Sequence, residues 1–349
     1  MTELRSPVRV PARFHPFQGT FLAKLRLRGA GGVKKSRGHH EIWTHAAMRF
    51  LAVLNKDGGT LRTTDLHAFS GRMKTILEGH GHSVAIRIVS GKEVTGVLAK
   101  AAADDAADVL LAGGGDGTIS AAASSVMNSE MALAVLPAGT MNLFARSLGI
   151  PLGLDQAMEV FATGRIRAVD MGSANGRPFV HQFSIGMHAR LVELRSRMEF
   201  SSKLGKMHAS LKAMIDTLRS PSSLRITLRM DDAEIIATTA GISVSNNLYG
   251  EGHLPFADDP DAGVLGIYVS NARRRRDLLR LCFNIGIGRW KENEHVEIHQ
   301  SDAVTLRVET MKRARSAVID GELCPLARET ILRIHPKSLK VLVPADPMP

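Results

Sequence analysis

Leu110 to Ser120 reads LLAGGGDGTIS, an apolar run that ends in three glycines and passes at once into Asp-Gly-Thr. Glycine at the carboxyl end of a strand permits positive φ and lets backbone N–H groups approach a ligand closely, while the start of the next helix adds partial positive charge. Phosphate is the natural guest of such a turn. The segment lacks the Lys-Ser/Thr ending of the Walker loop, and Thr118 stands where the dinucleotide fingerprint has its last glycine. Asp116 is left at the rim, either to hold a magnesium ion and its water shell against phosphates or only to cap the helix.

The flanks of this turn set the fold class. Upstream, RFLAVLN (49–55) is a short apolar run, DLHAFSGRMKTILEGHG (65–81) carries apolar residues at helical spacing, SVAIRIV (83–89) alternates and VTGVLAKAAA (94–103) is helical again. Downstream of DVLLAG (108–113) come a helix over about Thr118 to Met127, the strand ALAVLP (132–137) and a helix from about Met141. Strands alternating with helices predict a parallel sheet covered by helices, which binds ligands at the carboxyl ends of its strands. A second glycine turn ends the next strand, in LPAGTMNLFARSLGIP (136–151), and puts Thr140 and Asn142 at a helix start. Strand ends of a parallel sheet share one edge, so Gly113 to Thr118 and Gly139 to Asn142 are expected to face one nucleotide from two sides.

After about Ala168 the texture changes to short alternating runs: RPFVHQFSIG, SLRITLRM, IIATTAGISVSN, GVLGIYVS, DAVTLRVE and TILRIHP. These predict an antiparallel β domain, interrupted by helical inserts at KLGKMHASLKAMIDTL (203–218) and RRRRDLLRLCFNIGIG (273–288). The expected organisation is a basic, mobile arm over 1–46, an α/β domain over 47–168 and a β-rich domain over 169–345. The chain has 349 residues, 44% hydrophobic and 23% charged, with no apolar stretch of bilayer length. The start, MTELRSPVRV, has no signal-peptide core and Cys282 and Cys324 are too few for a disulfide framework, which points to the cytoplasm. A formal net charge of +11 draws the chain toward polyanions. Nucleic acid is disfavoured as the partner, because it gives no reason for paired glycine turns and two Trp and two Tyr offer few stacking platforms. No His/Cys spacing matches a zinc site.

The two glycine segments resemble the diacylglycerol kinase catalytic domain family of bacterial lipid kinases, relatives of sphingosine and ceramide kinases. The Gly-Gly-Asp-Gly-Thr loop is Gly114 to Thr118, and the Pro-x-Gly-Thr-x-Asn-x-x-Ala-Arg segment is Pro137 to Arg146. An early Asn-Pro turn is answered by Asn55-Lys56, without the proline; Ser184, Gly186 and Ala189 match a Ser-x-Gly-x-x-Ala segment, and Asp320, Gly321 and Glu322 match Asp-Gly-Glu. The likeness runs from about Arg49 to Pro344. It implies the NAD kinase/diacylglycerol kinase-like fold, with ATP and Mg2+ between the α/β domain and a sandwich-like domain that helps hold the lipid substrate. Nucleotide contacts would come from Asn55, Gly113, Gly114, Gly115, Asp116, Gly117, Thr118, Gly139, Thr140 and Asn142. Asp320 or Glu322 would be the base for the acceptor hydroxyl; taken without the earlier motifs, the Asp-Gly turn reads first as an ordinary hairpin. The family's Asp-Gly-x-Leu becomes DAGVL, with Ala262 in the carboxylate's place, which leaves Asp261 or Asp259 to serve a structural magnesium. At the end of the second strand, Val89-Ser90 stands where many relatives have threonine.

Arg273 to Arg276 open an amphipathic helix where the helix dipole disfavours cations, so an anionic partner is expected: an acidic membrane face that the protein would touch peripherally. A homodimer is the default assembly. Two other readings share these residues. NAD kinases have the Gly-Gly-Asp-Gly-Thr loop but match the second segment poorly, and a catalytically inactive lipid-binding relative is opposed by the intact Asp116, Asp320 and Glu322.

Overall fold

The computed structural model describes residues 47–345 apart from 104–105, 197–222, 232, 251–253, 273, 287, 290, 292 and 312–314. The expected arm over 1–46 and the helical insert at 203–218 lie outside the described residues.

Strands β1 (Arg49–Asn55), β2 (Ser83–Val89), β3 (Val109–Gly114) and β4 (Ala132–Pro137) form a parallel array in the order β2-β1-β3-β4. VLLAGG and ALAVLP are buried along their whole length, as continuous apolar runs must be when helices cover both faces of a parallel sheet. Helix α1 (Leu66–Gly79) starts where the Asp65 side chain accepts the N–H groups of His67 and Ala68, and it buries Phe69, Met73 and Leu77, four residues apart, on the sheet. Helices α2 (Val94–Ala102), α3 (Asp116–Val126), the short α4 (Leu143–Ser147) and α5 (Leu154–Thr163) complete this part.

Residue 168, where the sequence texture changes, lies within strand β5 (Arg165–Ala174). RPFVHQFSIG, read as one run, is two strands, β6 (Arg177–Phe179) and β7 (Gln182–Gly186). The break has a cause: the N–H groups of Val180, His181 and Gln182 turn away from any ladder to the carboxylate of Asp320. After α6 (Met187–Ser196) come β8 (Leu224–Met230), β9 (Ala233–Thr239), β10 (Gly241–Asn246), β11 (Leu265–Ser270), helix α7 (Arg275–Gly286), β12 (Val296–Ser301), β13 (Ala303–Val308), β14 (Ser316–Ile319), β15 (Glu322–Pro325) and β16 (Glu329–Val343). A six-stranded sheet runs β12-β11-β10-β7-β14-β15 with antiparallel neighbours. Ile226, Leu228, Val304 and Leu306 share one buried core with Phe183, Ile185, Val244 and Ile267 of that sheet.

TILRIHP proves to be the start of a 15-residue strand. Its first half pairs with β13; after a register shift between His335 and Leu339 it continues along β5 and touches β4 in parallel at Val341 and Leu133. One ten-stranded sheet therefore runs from the α/β part into the β-rich part.

Candidate functional site

Asn55, at the end of β1, is buried, and its amide donates to Thr118 Oγ1 at 3.0 Å while its Oδ1 accepts the N–H of Asp57. It thereby ties the first strand to the first turn of α3. None of Gly113 to Gly117 takes positive φ, contrary to the expectation from the sequence. What the turn needs from glycine is space. A Cβ on Gly113 would lie 2.7 Å from a Leu54 methyl, and one on Gly114 2.6 Å from the Thr118 side chain, whereas one on Gly115 would meet only Gly139 Cα at 3.9 Å. Gly115 is thus the member of the trio whose missing side chain leaves open room, at the head of a helix whose first N–H groups have no acceptor within it.

The second glycine turn closes on the first. Asn142, in the left-handed region at φ 50, accepts the Gly139 N–H at 2.7 Å and returns its amide to the Gly139 carbonyl at 3.1 Å. A Cβ on Gly139 would stand 3.0 Å from Gly115 Cα, so the turns are in contact. Asp116 belongs to both, because its Oδ1 accepts the N–H of Leu143, the first residue of α4. Its capping partner is therefore the neighbouring helix, not its own. Thr140 is exposed beside them. Ser90, at the end of β2, is occupied locally: its hydroxyl and N–H both bond Glu93.

Asp320 sits at φ 46 in the β14–β15 turn, and both its oxygens are occupied. Oδ1 accepts the N–H groups of His181 and Gln182 at 2.9 and 3.0 Å; Oδ2 accepts that of Val180 at 2.9 Å and the Ser120 hydroxyl of α3 at 2.6 Å. Burial pushes its carboxyl above the usual range, against the pull of those four donors. Glu322 is exposed, pairs with Arg177 at 2.9 Å and approaches α3, where a Cβ on Gly117 would be 3.2 Å from its Oε1. Asp116, Asn142, His181, Asp320 and Gly321 all line one cavity of about 550 Å3. It shares Gln182, His188 and Pro255 with a more apolar cavity of about 270 Å3 walled by Ile185, Ile242, Tyr249 and Leu281.

Asp261 lies apart from this constellation among its own partners: Arg167 of β5 binds both it and Asp259. Burial pushes the Asp261 carboxyl upward, but hydrogen bonds from Asp259 and Arg167 outweigh that and hold it below its ordinary value. Among the described residues no group of three His, Cys, Asp or Glu side chains forms a cation cluster. Asp116 at the paired turns fits a magnesium ion that arrives with nucleotide phosphates and keeps most of its waters, since such an ion takes only one or two protein carboxylates.

Sequence reasoning missed His181, Gln182 and Ser120. The ring nitrogen Nε2 of His181 is buried without a hydrogen-bond partner, and burial pushes the imidazole down to about 4 against the opposing charge of Asp116. The only sequence signal was a polar pair interrupting an apolar run.

The architecture is therefore an α/β sheet with paired glycine turns, continued by one strand into a β sandwich, with two adjoining cavities, one of them the more apolar. Residues 49–174 match the family model of the diacylglycerol kinase catalytic domain, and residues 182–343 match that of the YegS C-terminal NAD kinase beta sandwich-like domain. The chain thus carries, in this order, matches to these two domains. It is 27% identical to a diacylglycerol kinase of Mycobacterium tuberculosis over 256 residues, 71% of this chain and 80% of that one. It is 26% identical to a diacylglycerol kinase of Bacillus subtilis over 233 residues, 64% and 74% of the two chains. An uncharacterized protein of Synechocystis is 26% identical over 246 residues, 68% of this chain; the chain spans about half, 55%, of that relative's length. The crystal structure of a diacylglycerol kinase from Bacillus anthracis has the same fold, with a TM-score of 0.64 at 16% identity over 86% of this chain and 98% of that one. Among the described residues no helix is long and apolar enough to cross a membrane.

Proposed function

We propose that this chain is an ATP-dependent lipid kinase that moves the γ-phosphoryl group of ATP to the hydroxyl of a lipid such as diacylglycerol or a sphingoid lipid. The observation that carries the reading is the junction of two cavities. One holds Asp116, Asn142 and Asp320 beside the paired glycine turns; the other is apolar, and Gln182, His188 and Pro255 belong to both. A phosphate cradle opening into an apolar chamber suits a substrate with a reactive alcohol on a hydrocarbon body.

In this reading the α/β part takes the nucleotide and the β-rich part the lipid. Gly115 leaves room for phosphate oxygens, Gly139 lets the second turn close against it, the N–H groups at the head of α3 meet the phosphate, and Asn55, Thr118 and Asn142 hold the turns in place. A magnesium ion bound with ATP would neutralise phosphate charge beside Asp116. Phosphoryl transfer needs the hydroxyl in line with the γ-phosphorus: its oxygen forms the new P–O bond, the bond to ADP breaks, and a carboxylate takes the proton. Asp320 fills that role when the Ser120 hydroxyl, the one donor able to rotate away, yields its place; Glu322 stands at the rim as the second carboxylate. The site then loads from an acidic membrane face, where α7 supplies arginines outside and Leu281 to the wall of the apolar cavity. Incubation with labelled ATP and Mg2+ across a panel of diacylglycerol, sphingosine, ceramide and NAD tests the proposal: a labelled lipid supports it, and label only in NAD overturns it.

A further inference from the structure

We infer that His181 contacts the acceptor hydroxyl of the substrate and holds it beside Asp320, an inference that rests on the lipid-kinase reading above. Its Nε2 is buried and has no hydrogen-bond partner, in a residue that lines the cavity holding Asp116 and Asp320. A buried polar nitrogen left unpaired is costly, and the cost is recovered when a guest in the cavity bonds it. Asp320 beside it is already occupied, accepting donors at all four lone-pair positions, and His188 is partnered through Nδ1 to the Ser184 hydroxyl at 2.6 Å.

The imidazole is also held in position for this work. Asp320 accepts the His181 backbone N–H at 2.9 Å, so the carboxylate placed as the base fixes the residue placed as the hydroxyl contact. On its other side the ring lies 5.6 Å from the ring of Tyr249, tilted by 33°, and Tyr249 lines the apolar cavity. His181 therefore stands where a hydrocarbon body would give way to its polar end. A neutral imidazole offers one donor and one acceptor, and an alcohol can meet either.

The test compares the full-length wild type with His181→Phe and His181→Gln, using labelled ATP, Mg2+ and diacylglycerol in detergent mixed micelles. Phe keeps the ring's bulk without its nitrogens, and Gln restores a donor and an acceptor. The expected result is a fall of about tenfold in kcat/KM for the lipid in H181F, with the KM for ATP and the melting temperature unchanged and a partial recovery in H181Q. A kcat/KM in H181F within about twofold of wild type overturns the inference. So does a loss accompanied by a lowered melting temperature and a raised KM for ATP, which marks a structural role. If the wild type phosphorylates no lipid, the lipid-kinase reading falls by itself, and titration of dioctanoylglycerol into wild type and H181F decides the His181 contact: weaker binding by H181F supports it and equal binding overturns it.

Discussion

A Cβ on Gly115 would meet nothing nearer than Gly139 Cα at 3.9 Å, whereas one on Gly114 would lie 2.6 Å from the Thr118 side chain. Neighbouring glycines should therefore fail in different ways. Gly115→Val puts branched carbon into the room assigned to phosphate, at φ −79 where valine is unstrained; calorimetric titration should find ATP affinity reduced at least about tenfold with the melting temperature unchanged. Gly114→Ala should instead lower stability by about 1–3 kcal/mol through overpacking. The carboxylates of the Asp-Gly-Glu turn separate likewise. Asp320→Asn keeps the left-handed φ that asparagine tolerates, but its amide must face either the Val180 N–H or those of His181 and Gln182, leaving a buried donor unpaired at about 1–3 kcal/mol. Turnover should fall about 10²- to 10⁴-fold if Asp320 is the base, while Glu322→Gln, which loses only an exposed pair with Arg177, should not change stability. Because burial raises the Asp320 carboxyl, the acid limb of kcat/KM should lie above the ordinary carboxylate range and rise as the proton leaves; a limb at ordinary carboxylate pH would remove Asp320 as the base. The residue types of this turn were legible in the sequence, but its partners were not: Ser120 and Val180 to Gln182 lie 138–200 positions away, beyond any local pattern.

At the scale of elements, α7 is the clearest case of a helix with two uses. Leu278 is buried and Leu281 walls the apolar cavity, yet Leu279 and Phe283, one turn apart on the outer side, are 55% and 65% exposed. Arg276 and Arg280 share that outer stripe at helical spacing. The arginine run at the helix start is offset locally, since the Asp277 side chain accepts the Arg274 N–H at 3.2 Å. Replacing Leu279 and Phe283 by serine should weaken sedimentation with phosphatidylglycerol vesicles and leave ATP affinity intact; replacing Arg274 and Arg276 by glutamine should cost about 1 kcal/mol per cation at low salt and less at high salt. Unchanged sedimentation in both would free α7 of a membrane role. The β-α-β alternation was readable because buried parallel strands and amphipathic helices have distinct periods. The break between β6 and β7 was not, because it depends on a carboxylate donated by a distant turn.

For the molecule as a whole, the decisive strand is the last. Leu332 and Ile334, in the first half of β16, belong to the core between the sheets, and Leu339, Val341, Leu342 and Val343 belong to the core of the α/β part. The sequence shows TILRIHP as an ordinary short strand, since the proline at 336 looks like its end; the chain instead accommodates it at the register shift and carries on. A strand buried in two cores couples their unfolding. The α/β and β-rich parts should thus melt as one unit: calorimetry of the wild type should give a single transition with the calorimetric enthalpy equal to the van't Hoff enthalpy. Leu339→Ala removes a fully buried side chain on the α/β side of the shift and should destabilise by about 2–5 kcal/mol. If the parts are coupled through β16, Leu339→Ala and Leu332→Ala, on opposite sides of the shift, should each move that single transition down without splitting it. Two resolved transitions, each answering to only one of the substitutions, would mean that the parts fold independently and that the cradle and the apolar chamber owe their juxtaposition to something other than the shared strand.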